Sequence, residues 1–245
     1  MPFRRLPDSD ASRFTALQTC KLKKDATAAP LWPFDADNAA QLDALFPAFK
    51  LALGNRATAQ SEDTQAVTAL GTAFNTARQL ISHFLQALNN GIDRNAIPAS
   101  ARAYYQLDLS QSALPSLSSQ TDVLLWGDRT VDGETKRVKA GGVPIPFPTI
   151  AEVSAALADY QTKRNAESTK AGILTADEQI VANQRPAVDA LILDLWDEIV
   201  FAYRKDPPAT ARDKARAWGV VYGTHPGETP DPTPTPTPMP PTPPA

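Results

Sequence analysis

The sequence predicts an all-α fold: an elongated bundle of two or three long helices with several shorter ones, followed by an extended proline- and threonine-rich C-terminal tail. Three observations lead there. Apolar residues recur at spacings of three and four over long stretches, helix-starting and helix-stopping residues bracket those stretches, and from Thr229 to Ala245 proline takes nearly every second position. The first two mark amphipathic helices with one buried stripe. The third removes backbone donors and fixes φ, so Thr229 to Ala245 read as a polyproline-II rod, and residues 223–245 as an extended Pro/Thr-rich tail or linker beyond a helical domain of residues 1–222.

Taken in order, the chain first offers short helices at Asp8 to Lys24 and Asp37 to Leu53. Between Ser61 and Gly91, Val67, Leu70, Phe74, Ala77, Ile81, Phe84 and Leu88 form one stripe of a long helix, and Asn90-Gly91 supplies a stop. A short helix at Ala99 to Tyr105 precedes a Ser/Leu/Pro-rich loop at Ser110 to Ser119. From Thr121 to Ala140 the sequence allows two readings. Asp132-Gly133 suits a hairpin turn, but Leu124, Val131 and Val138 sit at helical spacing, which favours a helix.

The next stretch, Gly141 to Pro148 (GGVPIPFP), is an apolar connector whose prolines bar it from a regular helix or a central strand. A helix then starts at Thr149, where Glu152 completes a capping box, carries Val153, Leu157 and Tyr160 inward, and ends near Lys170 to Gly172. A second capping box, Thr175 with Glu178, opens the last long helix, which runs to about Arg204. Val188, Leu191, Leu195, Trp196, Ile199 and Tyr203 form its inner face, and Pro186 is expected to kink or restart it. Pro207-Pro208 stops it. A short helix from Thr210 to Trp218 closes at Gly219, a β-prone end follows at Val220 to Tyr222, and Trp196 and Trp218 pack where the last two helices meet.

Composition narrows the function classes. With 245 residues and 42% hydrophobic content the chain can bury a sizeable core. A net charge of −3 gives no field to gather phosphates, which disfavours nucleic-acid binding. Cys20 is the only cysteine, so an intramolecular disulfide and multi-cysteine metal sites are excluded. No apolar run has the length of a signal-peptide core or of a membrane span, so a cytoplasmic place or leaderless export is expected, with the redox compartment left open.

Residues that do chemistry are scarce. His83 and His225 are the only histidines, and His83 projects well away from the Val67 to Leu88 stripe. No Glu-x-x-His pair is present, which removes the ferritin-like di-iron reading, and no phosphate-binding, dinucleotide or catalytic-triad signature occurs. Neither a cofactor nor a metal is expected. Asp194, Asp197 and Glu198 beside Trp196 are the best catalytic candidates, since paired carboxylates can divide acid and base roles. Their helical projection places them opposite Val188, Leu195 and Ile199, on a solvated face.

The sequence therefore points to a structural or assembly component rather than an enzyme: a helical bundle that associates with itself or docks on another protein, the tail acting as connector. Candidate contact residues are Leu193 and Phe201, which fall outside the main stripe, Trp218, and Pro240, Pro241, Pro243 and Pro244 at Pro-x-x-Pro spacing. One alternative is a hydrolase or lyase using Asp194, Asp197 or Glu198 with Tyr203 or Arg204. Another is a membrane-active bundle whose connector, Gly142 to Ile150, enters lipid.

Overall fold

A computed structural model describes residues 2–224. The fold is all-α, with five α-helices: α1 (Asp10–Asp25), α2 (Ala36–Asp93), α3 (Gln120–Lys139), α4 (Ile150–Ala202) and α5 (Pro208–Arg216). Short 3-10 helices lie at Ala29–Leu31 and Ala99–Tyr105, and two two-residue strands, β1 (Phe3–Arg4) and β2 (Tyr222–Gly223), pair antiparallel. The tail prolines and His225 lie outside the described residues. Those described form two compact units, one from the residues up to Ala57 together with those from Asp177 onward, the other from Thr58–Ala176.

Four segments read from sequence as separate helices are two. Asp37 to Leu53 and Ser61 to Gly91 join as α2, with Pro47 accommodated inside it. The Thr149 and Thr175 helices join as α4, which also runs through Pro186. The capping box at Thr149 forms as expected, the Glu152 carboxylate accepting from the Thr149 amide at 2.7 Å and the Thr149 hydroxyl accepting from the Glu152 amide at 3.3 Å. At Thr175 it does not. There the hydroxyl donates to the Ala171 carbonyl at 2.9 Å, a bond a threonine makes in a helix interior, so the same residue pattern is compatible with no break at all.

Asn90-Gly91 also fails to stop α2, which continues to Asp93. The turn comes at Asn95, with φ of 56°, and the amides of Ala96 and Ile97 donate back to the Gly91 carbonyl. Val67, expected in the buried stripe, is half exposed, while Leu70, Ala77, Ile81, Phe84 and Leu88 are buried as read. The ambiguous segment after Thr121 is helical, as favoured. Gly133 serves not a hairpin but a close approach: a Cβ there would lie 2.5 Å from the Tyr105 ring and 2.9 Å from the Tyr104 carbonyl.

The first unit packs α1, the start of α2, the end of α4 and α5 around Leu17, Leu42, Phe49, Val188, Leu195 and Trp196. Ser9 and Ser12 make a reciprocal capping box that starts α1. One residue on, Asp10 gathers cations from two other helices: Arg185 binds it through two bonds of 2.8 and 2.9 Å, and Arg56 through one of 2.7 Å. The Arg185 hydrogen bond, helped by Arg56 against the cost of burial, holds the Asp10 carboxyl at about 2, down from 3.8.

The second unit packs the rest of α2 and α4 with α3 and the Ala99–Tyr105 turn around Ile81, Phe84, Leu88, Tyr105, Val153 and Tyr160. The buried line of α3 is Val123, Gly127, Thr130, Glu134 and Arg137, at strict four-three spacing. Of the Leu124, Val131, Val138 line the apolar residues suggested, Leu124 and Val131 pack partly buried against this core and Val138 is exposed. Gly127 lets α3 close on α4 and α2, since a Cβ there would meet the Leu157 side chain at 2.7 Å and Ile81 at 3.3 Å.

Because the folded-state pKa of Asp10 is depressed, its stabilisation is present above the unfolded value and lost as pH falls through the folded one. Asp10→Asn should cost about 1–2 kcal/mol at neutral pH after allowance for solvent screening. In urea denaturation across pH, its difference from the parent protein should shrink between the ordinary 3.8 and about 2.

Candidate functional site

The connector after α3 is held by a buried polar cluster. Glu134 is 1% exposed and Arg137 5% exposed, yet they form an ion pair through bonds of 2.8 Å from both Nε and Nη2 of the guanidinium. The Tyr105 hydroxyl donates to the same carboxylate and accepts from Arg137 Nε at 3.0 Å. Two further bonds leave the cluster for the connector. Arg137 Nη2 donates to the Val143 carbonyl at 2.7 Å, and the Ile145 amide donates to Glu134 Oε1 at 3.0 Å.

Burial pushes the Glu134 carboxyl up, but the hydrogen bonds from Arg137, Tyr105 and the Ile145 amide outweigh it and the net shift is downward. Burial, then the neighbouring carboxylate, push the Tyr105 phenol up. The pair is therefore ionised and the phenol neutral, the state in which Arg137 Nε and Nη2, the Tyr105 hydroxyl and the Ile145 amide each meet an acceptor.

Local sequence permits this geometry. Gly141 takes a φ of 93°, which L side chains rarely adopt, and Gly142 passes so close to α3 that a Cβ would sit 2.7 Å from Arg137 Nη1. The chain is thereby turned back over α3 with Ile145 buried at 5% exposure. Burial here recurs at a spacing of three, with Ile145 and Pro148 turned inward, and Val143 and Phe147 before and between them stand 81% and 77% exposed. Next to them lies a groove of about 420 Å³ lined by Gly91, Arg94, Ile97, Pro144, Pro146 and Phe147 among others.

The residues singled out from sequence are spread more widely. Asp194 is exposed, Asp197 pairs with Arg4, and Glu198 accepts from the Asp35 amide at 2.8 Å and Asn38 Nδ2 at 3.1 Å, at the start of α2. Three carboxylates thus have three separate surroundings. Tyr203 accepts a bond from Trp218 Nε1 at 2.9 Å, and Arg204 lies over the Phe201 ring, 3.5 Å from its centre. Leu193 and Phe201 are 40% and 62% exposed on α4. Trp218 is 3% exposed, packs edge-on against Phe34, and shares the first unit's core with Trp196. His83 is exposed, as its projection required.

Among the described residues no group of three or more His, Cys, Asp or Glu is placed to hold a metal ion, and no helix is long and apolar enough to cross a membrane. Sequence reasoning found the connector but missed Tyr105, Glu134 and Arg137. A polar pair three apart looks the same on a solvated face as in a core. The signal that separates them is the four-three line through Val123, Gly127 and Thr130, built from small residues as well as apolar ones.

Glu134→Gln keeps the shape but leaves the guanidinium without its counter-charge, and should cost about 3–5 kcal/mol in urea denaturation. Tyr105→Phe, which removes one donor, should cost about 1–2 kcal/mol. No protein-family model, curated protein or solved structure matches this chain.

Proposed function

We propose that the protein is a structural or assembly component, a helical bundle that associates with further copies of itself or with a protein partner, its proline-rich C-terminal segment serving as connector. One observation carries this reading: Val143 and Phe147 stand out in water at 81% and 77% exposure on a connector bonded to a buried polar cluster. Large apolar side chains exposed together on a rigid base are a feature of surfaces that become covered. Binding them costs little ordering, because the backbone that carries them is already fixed.

Leu193 and Phe201 support the reading from the other unit. Each stands on α4 while Leu191, Ile192, Leu195 and Trp196 of the same helix fill the core, so the helix shows apolar residues on more than its inner side. Ring and guanidinium stacked at Phe201 and Arg204 make a flat, amphipathic surface of a kind enriched in protein interfaces. No comparable observation favours the carboxylate-enzyme alternative.

Light scattering coupled to size exclusion on the full chain tests the proposal. Species above the 26.4 kDa monomer mass are expected, or, for a partner-directed surface, a stable complex in which the chain is recovered. The double variant Leu193→Glu, Phe201→Glu should weaken association at least about tenfold if this face contributes. A full chain that stays monomeric and enters no complex would contradict the proposal.

A further inference from the structure

We infer that the groove beside the connector receives the proline-rich segment 229–244 of a second copy of this chain. This deepens the self-association reading above and rests on it. The groove is lined mainly by apolar residues, and the connector beside it offers few main-chain donors. The Val143 carbonyl is taken by Arg137, the Ile145 amide by Glu134, and Pro144 and Pro146 have no N–H.

That inventory selects the occupant. An added β-strand needs alternating donors and acceptors along the edge it joins, and at Pro144 and Pro146 the donors are missing. A segment in which proline holds nearly every second position has few N–H groups of its own to leave unsatisfied. It can therefore cover Phe147, Val143 and Ile97 while burying fewer unpaired donors than an ordinary segment would, and each such donor opposes binding. Aromatic rings beside prolines are the usual platform for such segments.

Charge agrees with the choice. Arg94 lines the groove and has no ion-pair partner among the described residues. Residues 225–245 contain the acids Glu228 and Asp231 and no Lys or Arg. The 21 residues after Thr224 carry, by sequence, the proline-rich composition that suits this groove.

The test uses the full chain with the photo-cross-linking residue p-benzoylphenylalanine in place of the exposed Val143, mixed as light and heavy-isotope copies and mapped by mass spectrometry. Cross-links should fall within residues 229–244 and should include light–heavy products. Phe147→Ser should lower the yield at least about tenfold, as loss of an aromatic anchor does. Arg94→Glu should lower it about threefold and recover when Glu228 and Asp231 are both changed to Lys.

Cross-links that land elsewhere, that join only residues of one copy, or that do not form would overturn the inference. Light scattering on the same samples separates the two levels of the claim. An oligomer without tail cross-links removes this groove contact and leaves the self-association reading standing, whereas a monomer removes both the contact and self-association.

Discussion

Around the ion pair of Glu134 and Arg137 the second unit resolves several problems at once. A carboxylate and a guanidinium, 1% and 5% exposed, must recover in hydrogen bonds what they lose in hydration. Here the carboxylate receives two bonds from Arg137, one from Tyr105 and one from the Ile145 amide. Removing any one partner leaves a charge short of its requirement. The α3 helix, the Ala99–Tyr105 turn and the connector are thereby specified together, since each supplies a group that the others cannot replace.

Close packing follows from the same arrangement. Gly133 lets Tyr105 approach α3 closely enough to reach Glu134, and Gly142 lets the connector pass against Arg137. Besides Val123, Gly127 and Thr130, α3 brings Leu124, Trp126 and Val131 partly buried against the core. Its position is set by those polar bonds together with the apolar residues of α2 and α4 that fill the unit, such as Ile81, Phe84, Leu157 and Tyr160. The result is a fixed platform from which Val143 and Phe147 project.

Much of this was legible in the residues. Stripes such as Leu70 to Leu88 and Val188 to Ile199 name the core faces of α2 and α4 correctly, because a 3.6-residue period and apolar burial are properties of the sequence itself. Punctuation was read less well. Thr175 can cap a helix start or bond back within a helix, and which it does depends on whether the flanking segments pack as one rod. Asn90-Gly91 can close a helix or sit inside one, and here the left-handed residue is Asn95. The polar cluster left the faintest mark, since pairing between Tyr105, Glu134 and Arg137 is a tertiary fact spread over 32 positions. Of the contact candidates, Leu193 and Phe201 are surface residues and Trp218 is a core residue, a distinction that depends on what α5 packs against.

Hydrogen exchange of the Ile145 amide in the full native chain tests the central claim most directly, because that N–H is the bond by which the buried carboxylate holds the connector. If the cluster fixes the platform, Ile145 should exchange as slowly as amides of the second unit's core, such as Leu157, opening only with global unfolding. Exchange as fast as that of the exposed loop residue Ser112 would contradict it, and would mean that the apolar tip is not held ready for a partner.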